Sequence, residues 1–436
     1  MNETRPSAAR LTDTVRATIA GDLTARALAD ASLARVAATD AAVEAWAHLD
    51  PVRVISRAER CDAVAAGRRG PLHGIGVGVK DIIDTTDMPT AMGSPIYAGR
   101  HPQFDAECVA RVQRAGGFVF GKTVTTEFAY FHPGKTKNPW NPRHTPGGSS
   151  SGSAAAVAAG QVLCAIGTQT NGSVIRPAAF CGVVGFKPTK DAIPLAGVHI
   201  FSATLDQVGT FARDVAGAAL LAGVLVDPGR IVAEAKAFSK PPRLAYLADY
   251  PWTKIDCDGD DTLDAAATRL RQSGADIVPV EFPAAWRDAN LVHRTIMLYE
   301  GNAALGSLQR RERDRMSAKL NAALDDGRAI PRADYASALR RRDDAIASFA
   351  HWLSGFDAVI SPPATGGAPE GLDATGDPAF CTLWSLLGFP AISIPIGLDG
   401  KGLPLGMQIV APAGADNRVL DVAAWCESRL PFAGLA

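Results

Sequence analysis

Residues 145–188 constrain this chain more than any other stretch. They include Gly147-Gly148-Ser149-Ser150-Ser151-Gly152, the run Ala154-Ala155-Ala156, the apolar segment Val162-Leu163-Cys164-Ala165-Ile166, Thr170-Asn171-Gly172-Ser173, and the close Gly185-Phe186-Lys187-Pro188. Small residues crowd both ends. A Gly/Ser cluster before residues 154–159 predicts a loop running into a small-residue helix. The run 162–166 predicts a short, fully buried strand. Residues 170–173 then predict a turn with free backbone N–H groups. Such a turn can aim several donors at one oxygen, which is what an oxyanion hole requires.

The rest of the chain sets bounds on what that stretch can do. Its 436 residues can bury a large core, and 47% hydrophobic with 20% charged residues is an ordinary globular balance. A formal net charge of -1 gives no global basic field, so no nucleic-acid or anionic-membrane partner is expected. Residues 1–10 have no apolar core, so no signal peptide is expected. Apolar runs break well short of the roughly 20 residues a membrane helix needs. Seven scattered cysteines without a Cys-x-x-Cys pair fit a reduced, cytoplasmic location.

Residues 8–66 place Leu23, Leu28, Leu33 and Val36 near one helical face, with Asp50-Pro51 breaking the run. They predict two or three amphipathic helices packed on the body. Residues 71–81 alternate Gly with Ile and Val and end in Lys80-Asp81. This is a thin strand that another backbone can approach, ending in an ammonium that is costly to bury unless it reaches water. After 211–240, a helix and a ragged linker, strands are expected at 241–247 and 275–280 around a helix at 260–274. Residues 284–350 read as helical and charge-rich, with Arg310-Arg311 and Arg340-Arg341-Arg342 on solvated faces. Runs at 356–361 and 391–396 should rejoin the core sheet.

Two motif matches are decoys. Gly116 to Thr123 fits the phosphate-loop pattern, but its middle is Phe118-Val119-Phe120, itself strand-like, and a helix precedes it. Gly148-Ser149-Ser150-Ser151-Gly152 fits the nucleophile-elbow pattern, but Asn141-Pro142-Arg143-His144-Thr145-Pro146 before it cannot be a central strand.

The Gly-Gly-Ser-Ser block, the later Gly172-Ser173 turn and the Gly-Phe-Lys-Pro close resemble the amidase signature family of serine hydrolases. Further matches are Gly78-Val79-Lys80-Asp81, Gly121-Lys122-Thr123 and Leu205-Asp206-Gln207-Val208-Gly209; looser ones are Gly388-Phe389-Pro390-Ala391 and residues 403–408. The resemblance implies an α/β fold with one large mixed β-sheet covered by helices on both faces. Residues 1–66 would be a helical segment packed on the core. Residues 67–436 would be the catalytic domain, with a helical, charge-rich excursion at about 230–350. It implies a Ser-Ser-Lys triad: Ser173 as nucleophile, Ser149 as bridging serine after a cis Gly148–Ser149 peptide, and Lys80 as base. Ser149 and Ser173 stand 24 residues apart, the family's usual step.

Thr170, Asn171, Gly172 and Ser173 would supply the oxyanion donors. The resemblance implies a cofactor-independent, metal-free amidase acting on a small-molecule amide, with a homodimer the common assembly. An amidotransferase-type subunit supplying ammonia to a partner enzyme is the alternative, with basic helices between 306 and 345 as its contact surface. Two departures matter. Gln169 and Asn171 replace residues common in the family, and Asn171 tolerates left-handed backbone. Arg176 lies one place later than usual, in a pattern similar to malonamidase-like members that take short acidic amides. Arg176 either clamps a substrate carboxylate or pairs with an internal one such as Asp206. Tyr130, Phe131 and Trp140 are the expected acyl-pocket residues.

Overall fold

The computed structural model describes residues 9–231, 238 and 240–435. Among these residues eleven strands make one mixed sheet. In chain order they are β1 (Trp46–His48), β2 (Gly76–Lys80), β3 (Phe118–Thr123), β4 (Cys164–Gln169), β5 (Val184–Lys187), β6 (Gln207–Ala212), β7 (Arg243–Tyr246), β8 (Asp276–Pro279), β9 (Ala358–Ser361), β10 (Ala391–Leu398) and β11 (Pro404–Val410). Their spatial order is β1-β3-β2-β4-β6-β5-β10-β11-β9-β7-β8. β2 runs parallel to β3 and β4, and β7 parallel to β8 and β9. The other neighbours are antiparallel.

Helices cover both faces, as expected. They are α1 (Leu11–Ala20), α2 (Ala25–Val43), α3 (Pro51–Asp62), α4 (Glu107–Arg114), α5 (Ser151–Ala158), α6 (Ile175–Cys181), α7 (Val215–Leu225), α8 (Cys257–Gln272), α9 (Ala289–Glu312), α10 (Ala318–Ala329), α11 (Arg332–Trp352), α12 (Ala379–Leu387) and α13 (Asp416–Glu427). Side chains alternate across the sheet, because successive Cβ atoms in a strand point to opposite faces. Val77, Val79, Val119 and Ile166 join the larger apolar cluster, with α4, α7 and α9. Phe118, Phe120 and Ala165 join the smaller one, with α2, α3 and α5. Each fully buried phenylalanine or valine contributes about 1.5–3 kcal/mol.

The glycines of β2 belong to the second face. A Cβ at Gly78 would lie 3.3 Å from Ala165 Cβ and 3.2 Å from Thr123 Cγ2, so glycine lets the small-residue layer close down. Gly152 in α5 is more constrained still: a Cβ there would stand 2.3 Å from both Ala45 O and Val124 N.

The N-terminal region, expected to hold two or three helices, contains three. Asp50-Pro51 ends nothing for long: the Asp50 carboxylate accepts from the amides of Val52 and Arg53 and starts α3, with Pro51 at its first position. Between α2 and α3, β1 adds an edge strand beside β3. Three residues are too few to leave a periodic signal, so the sequence pattern missed it. Within the stretch read as a helical excursion, β7 and β8 extend the far end of the sheet, and α9, α10 and α11 carry the helical part. The linker expected near residue 235, and most of the first ten residues, lie outside the described residues. Among the described residues no helix is long and apolar enough to cross a membrane.

Both decoys fold as the sequence suggests. Phe118 to Thr123 is β3, and Lys122 is buried, 3.0 Å from the Asp81 carboxylate and 2.6 Å from Thr90 Oγ1. No strand leads directly into Gly148; residues 141–146 are loop.

Candidate active site

Three local structures converge at the carboxyl ends of β2 and β4, the position where open α/β sheets hold ligands. The first is the last residue of β2. Lys80 is wholly buried, and its Nζ lies 2.7 Å from Ser149 Oγ and 2.8 Å from Thr168 Oγ1. Burial holds its pKa well below the ordinary lysine value, and the charge of Asp206 opposes that shift. Among the described residues no carboxylate forms an ion pair with Lys80.

The second is the loop before α5. The Gly148–Ser149 peptide is cis, as the resemblance implies. Gly147 has φ +83°, and a Cβ there would meet Pro177 Cα at 2.8 Å. Serines stitch this segment to β4: Ser150 Oγ donates to Thr168 O and accepts from Thr168 N, and Ser153 Oγ donates to Ile166 O. The Gly/Ser run that resembles a flexible linker is a set of fixed hydrogen bonds.

The third is the turn between β4 and α6. The strand outruns the apolar stretch 162–166 and continues to Gln169, because Thr168 and Gln169 pair with Val208 and Gln207 of β6. Gln169 Oε1 then accepts from the amides of Val174 and Ile175, and Nε2 donates to Ser385 Oγ. Gln169 thereby caps the start of α6. The amides of Asn171, Gly172 and Ser173 donate to no other group among the described residues, so they remain available to a ligand. Asn171 does not use the left-handed backbone its side chain would permit. It is held instead by Thr382 Oγ1, which donates to its Oδ1 at 2.8 Å, and by Ser385 Oγ, which donates to its backbone oxygen.

These parts line one small, partly enclosed cavity with an open volume of about 20 Å³. Ser149, Thr170, Asn171, Gly172, Ser173, Arg176 and Tyr130 all reach it, and Phe131, Phe201 and Met297 form its apolar side. Tyr130 stacks on Phe201 with ring centroids 5.1 Å apart. Ser173 shares the cavity with Ser149 but makes no hydrogen bond to it. Trp140, expected in the acyl pocket, is elsewhere: its Nε1 donates to Cys181 O and its ring packs against the small cluster around Phe180 and Leu403.

Arg176 does not pair with Asp206. It is 2% exposed, and its guanidinium donates to Gly148 O, Thr375 O and Thr375 Oγ1. Nη1 is buried with no partner, and burial lowers its pKa to about 10. Asp206 faces the other way. It accepts from Thr170 Oγ1 at 2.6 Å, and burial raises its pKa to about 6. The α6 helix turns Arg176 toward the cavity, a direction the sequence separation alone could not give.

Several residues here carried no sequence signal. Thr168 looks like any strand threonine. Thr375 comes from a distant loop, and His293 and Met297 come from α9. His293 Nε2 lies 3.0 Å from Thr170 O, and burial lowers its pKa to about 4.

A mixed α/β sheet with a small polar cavity over the ends of its parallel strands is the class these observations define. A family model described as Amidase matches residues 27–420, and the chain belongs to that family. A glutamyl-tRNA(Gln) amidotransferase subunit from Symbiobacterium thermophilum is 33% identical, aligned over 96% of this chain and 95% of its own. A crystal structure described as amidase matches at TM-score 0.88 with 28% identity, over 97% of this chain and 100% of that one. A peptide amidase bound to the competitive inhibitor chymostatin matches at TM-score 0.81 with 30% identity, over 97% of each chain.

Proposed function

We propose that this protein hydrolyses the C–N bond of a small linear amide through Lys80, Ser149 and Ser173. The observation that carries this is a wholly buried lysine amine, without a carboxylate partner, 2.7 Å from the Ser149 hydroxyl. Burial favours its neutral form, and a neutral amine accepts a proton. Ser173 Oγ attacks the amide carbon. Its proton passes to Ser149 Oγ while the Ser149 proton passes to Lys80 Nζ. The departing nitrogen takes a proton back along the same route, which leaves an acyl-enzyme. Water then repeats the sequence and releases the acid. The free amides of Asn171, Gly172 and Ser173 would hold the oxyanion, each such donor being worth about 10²–10³ in rate. No cofactor enters any step.

The unpartnered Nη1 of buried Arg176 favours a substrate bearing a carboxylate near the scissile bond, because a buried cationic donor without a partner is costly. The tightness of the cavity favours a short acyl part. Residues 1–66 and 67–436 would work as one catalytic unit.

The test is ammonia or amine release by the purified chain across a panel of short amides, with fluorophosphonate labelling. Wild type should turn over and label at Ser173, and Ser173→Ala should do neither while keeping its melting temperature. Label on another serine, or full activity in Ser173→Ala, would refute the assignment.

One observation favours a second reading. The 33% identity over nearly the whole chain is to a protein named for its place in an amidotransferase. In that role this chain would use the same triad to release ammonia for a partner enzyme, with exposed Arg310 and Arg311 on α9 among its contacts. Stable co-purification with partner proteins would support that role. Robust hydrolysis by the isolated chain would exclude it.

A further inference from the structure

The segment leading into β6 is tied to the site from two sides. Asp206 is buried, and its carboxylate accepts from Thr170 Oγ1 at 2.6 Å and from the amides of Phe201 and Ser202 at 2.6 and 3.1 Å. Gln207, the next residue, stands opposite Gln169 in the β4–β6 register. Asp206 therefore meets Thr170 at the point where β4 gives way to the 170–173 turn. Glu300 of α9 holds the same segment from outside, accepting from Ser202 Oγ, Thr204 N, Thr204 Oγ1 and Tyr335 Oη. A buried carboxylate with three donors and no basic partner in ion-pair contact, set against a catalytic turn, is an expensive arrangement to keep for packing alone.

We propose that Asp206 is a positioning residue of the amidase reaction: it anchors the oxyanion turn through Thr170, and its negative charge supports the ammonium that Lys80 becomes on taking a proton. The premise is the role assigned to Lys80 above.

The physical need is specific. Burial makes Lys80 a willing carrier of the neutral amine but a poor home for the cation. Proton transfer from Ser173 through Ser149 creates that cation on a wholly buried side chain. A carboxylate in contact would lock Lys80 charged and end its use as a base. Thr168, which contacts Lys80, and Thr170, which contacts Asp206, stand two residues apart at the end of β4, so this carboxylate lies near Lys80 without forming an ion pair and lowers the cost of the ammonium. Burial lowers the pKa of Lys80, and the negative charge of Asp206 acts against that shift.

The other titratable groups around the pair do not supply this charge. Burial pulls His199 and His293 to about 4, so both are neutral near pH 7. Asp81 is engaged by Lys122 at 3.0 Å. Lys190 acts on Asp206 by lowering its pKa, which favours its ionised form. Glu300 sits behind the Ser202–Thr204 loop.

The experiment measures fluorophosphonate labelling rate at Ser173 against pH, with melting temperature, for four proteins. In Asp206→Asn the rate at pH 7 should fall at least tenfold, and the acid limb should move to lower pH by about one unit, because Lys80 loses a charge that favours its protonation. Thr170→Val keeps that charge and removes the 2.6 Å bond. Its rate should fall with the acid limb unmoved. Lys80→Met should not label at all. An unmoved acid limb in a folded Asp206→Asn protein overturns the inference. If Asp206→Asn does not fold, a wild-type rate in Thr170→Val overturns it instead. Wild-type labelling in Lys80→Met would sink the triad itself, a different failure from the other two.

Discussion

Replacing Lys80 by methionine separates the chemistry from the packing. Methionine is nearly isosteric with the lysine stem and keeps it filled. What disappears is one amine with two partners, Ser149 Oγ at 2.7 Å and Thr168 Oγ1 at 2.8 Å. Each hydroxyl loses one hydrogen bond, worth about 1 kcal/mol. Against this, a wholly buried amine no longer has to be kept from water. The net change at neutral pH should stay within about 2 kcal/mol.

Its pH dependence has a definite sign. The folded-state pKa of Lys80 lies well below 10.5, so between those two values the unfolded chain binds the extra proton. Wild-type stability from this group therefore rises with pH through that window, and the burial penalty is gone above 10.5. Lys80→Met lacks this slope, so any gain over wild type should be largest at low pH and vanish near 10.5. Activity behaves differently. Loss of the base should lower kcat/KM by at least about 10⁴, since members of a catalytic unit fail together. Amide turnover, fluorophosphonate labelling and thermal melts at several pH values read all three quantities. A folded Lys80→Met protein within tenfold of wild-type activity refutes the reasoning.

Three further outcomes follow from the cavity. Arg176→Ala, which also loses bonds to Gly148 and Thr375, should weaken kcat/KM for carboxylate-bearing amides by about 10²-fold or more while sparing plain amides; equal loss on both series removes the clamp. Asn171→Gly deletes the side chain held by Thr382 and should change the ranking of substrates in the panel, with melting temperature falling by only a few degrees; an unchanged ranking excludes it from specificity. Gly172→Ala places a Cβ 2.8 Å from Arg176 Nη1 and 2.9 Å from Pro378 Cβ, so turnover should fall at least tenfold; unchanged kinetics would mean that Arg176 is not fixed there.

The sequence alone determined the parts whose physics is local. Gly-Val alternation marked β2, the Gly/Ser block before three alanines marked α5, and Phe118-Val119-Phe120 excluded a phosphate loop. Motif order was enough for the family, for the large mixed sheet and for Lys80, Ser149 and Ser173 as candidates. Tertiary structure decided everything that depends on which distant strands become neighbours. β2 and β4 are far apart in the chain, yet they pair from Val77–Cys164 to Val79–Ile166, because the sheet order is not the chain order. That adjacency alone brings Thr168 to Lys80. Nothing local marks Thr375 and Met297 as cavity residues, and β1 was too short to carry a period. Arg176 could have turned to Asp206 or to the cavity. Helix phase settled it, because on a helix a single residue of displacement rotates a side chain by about 100°.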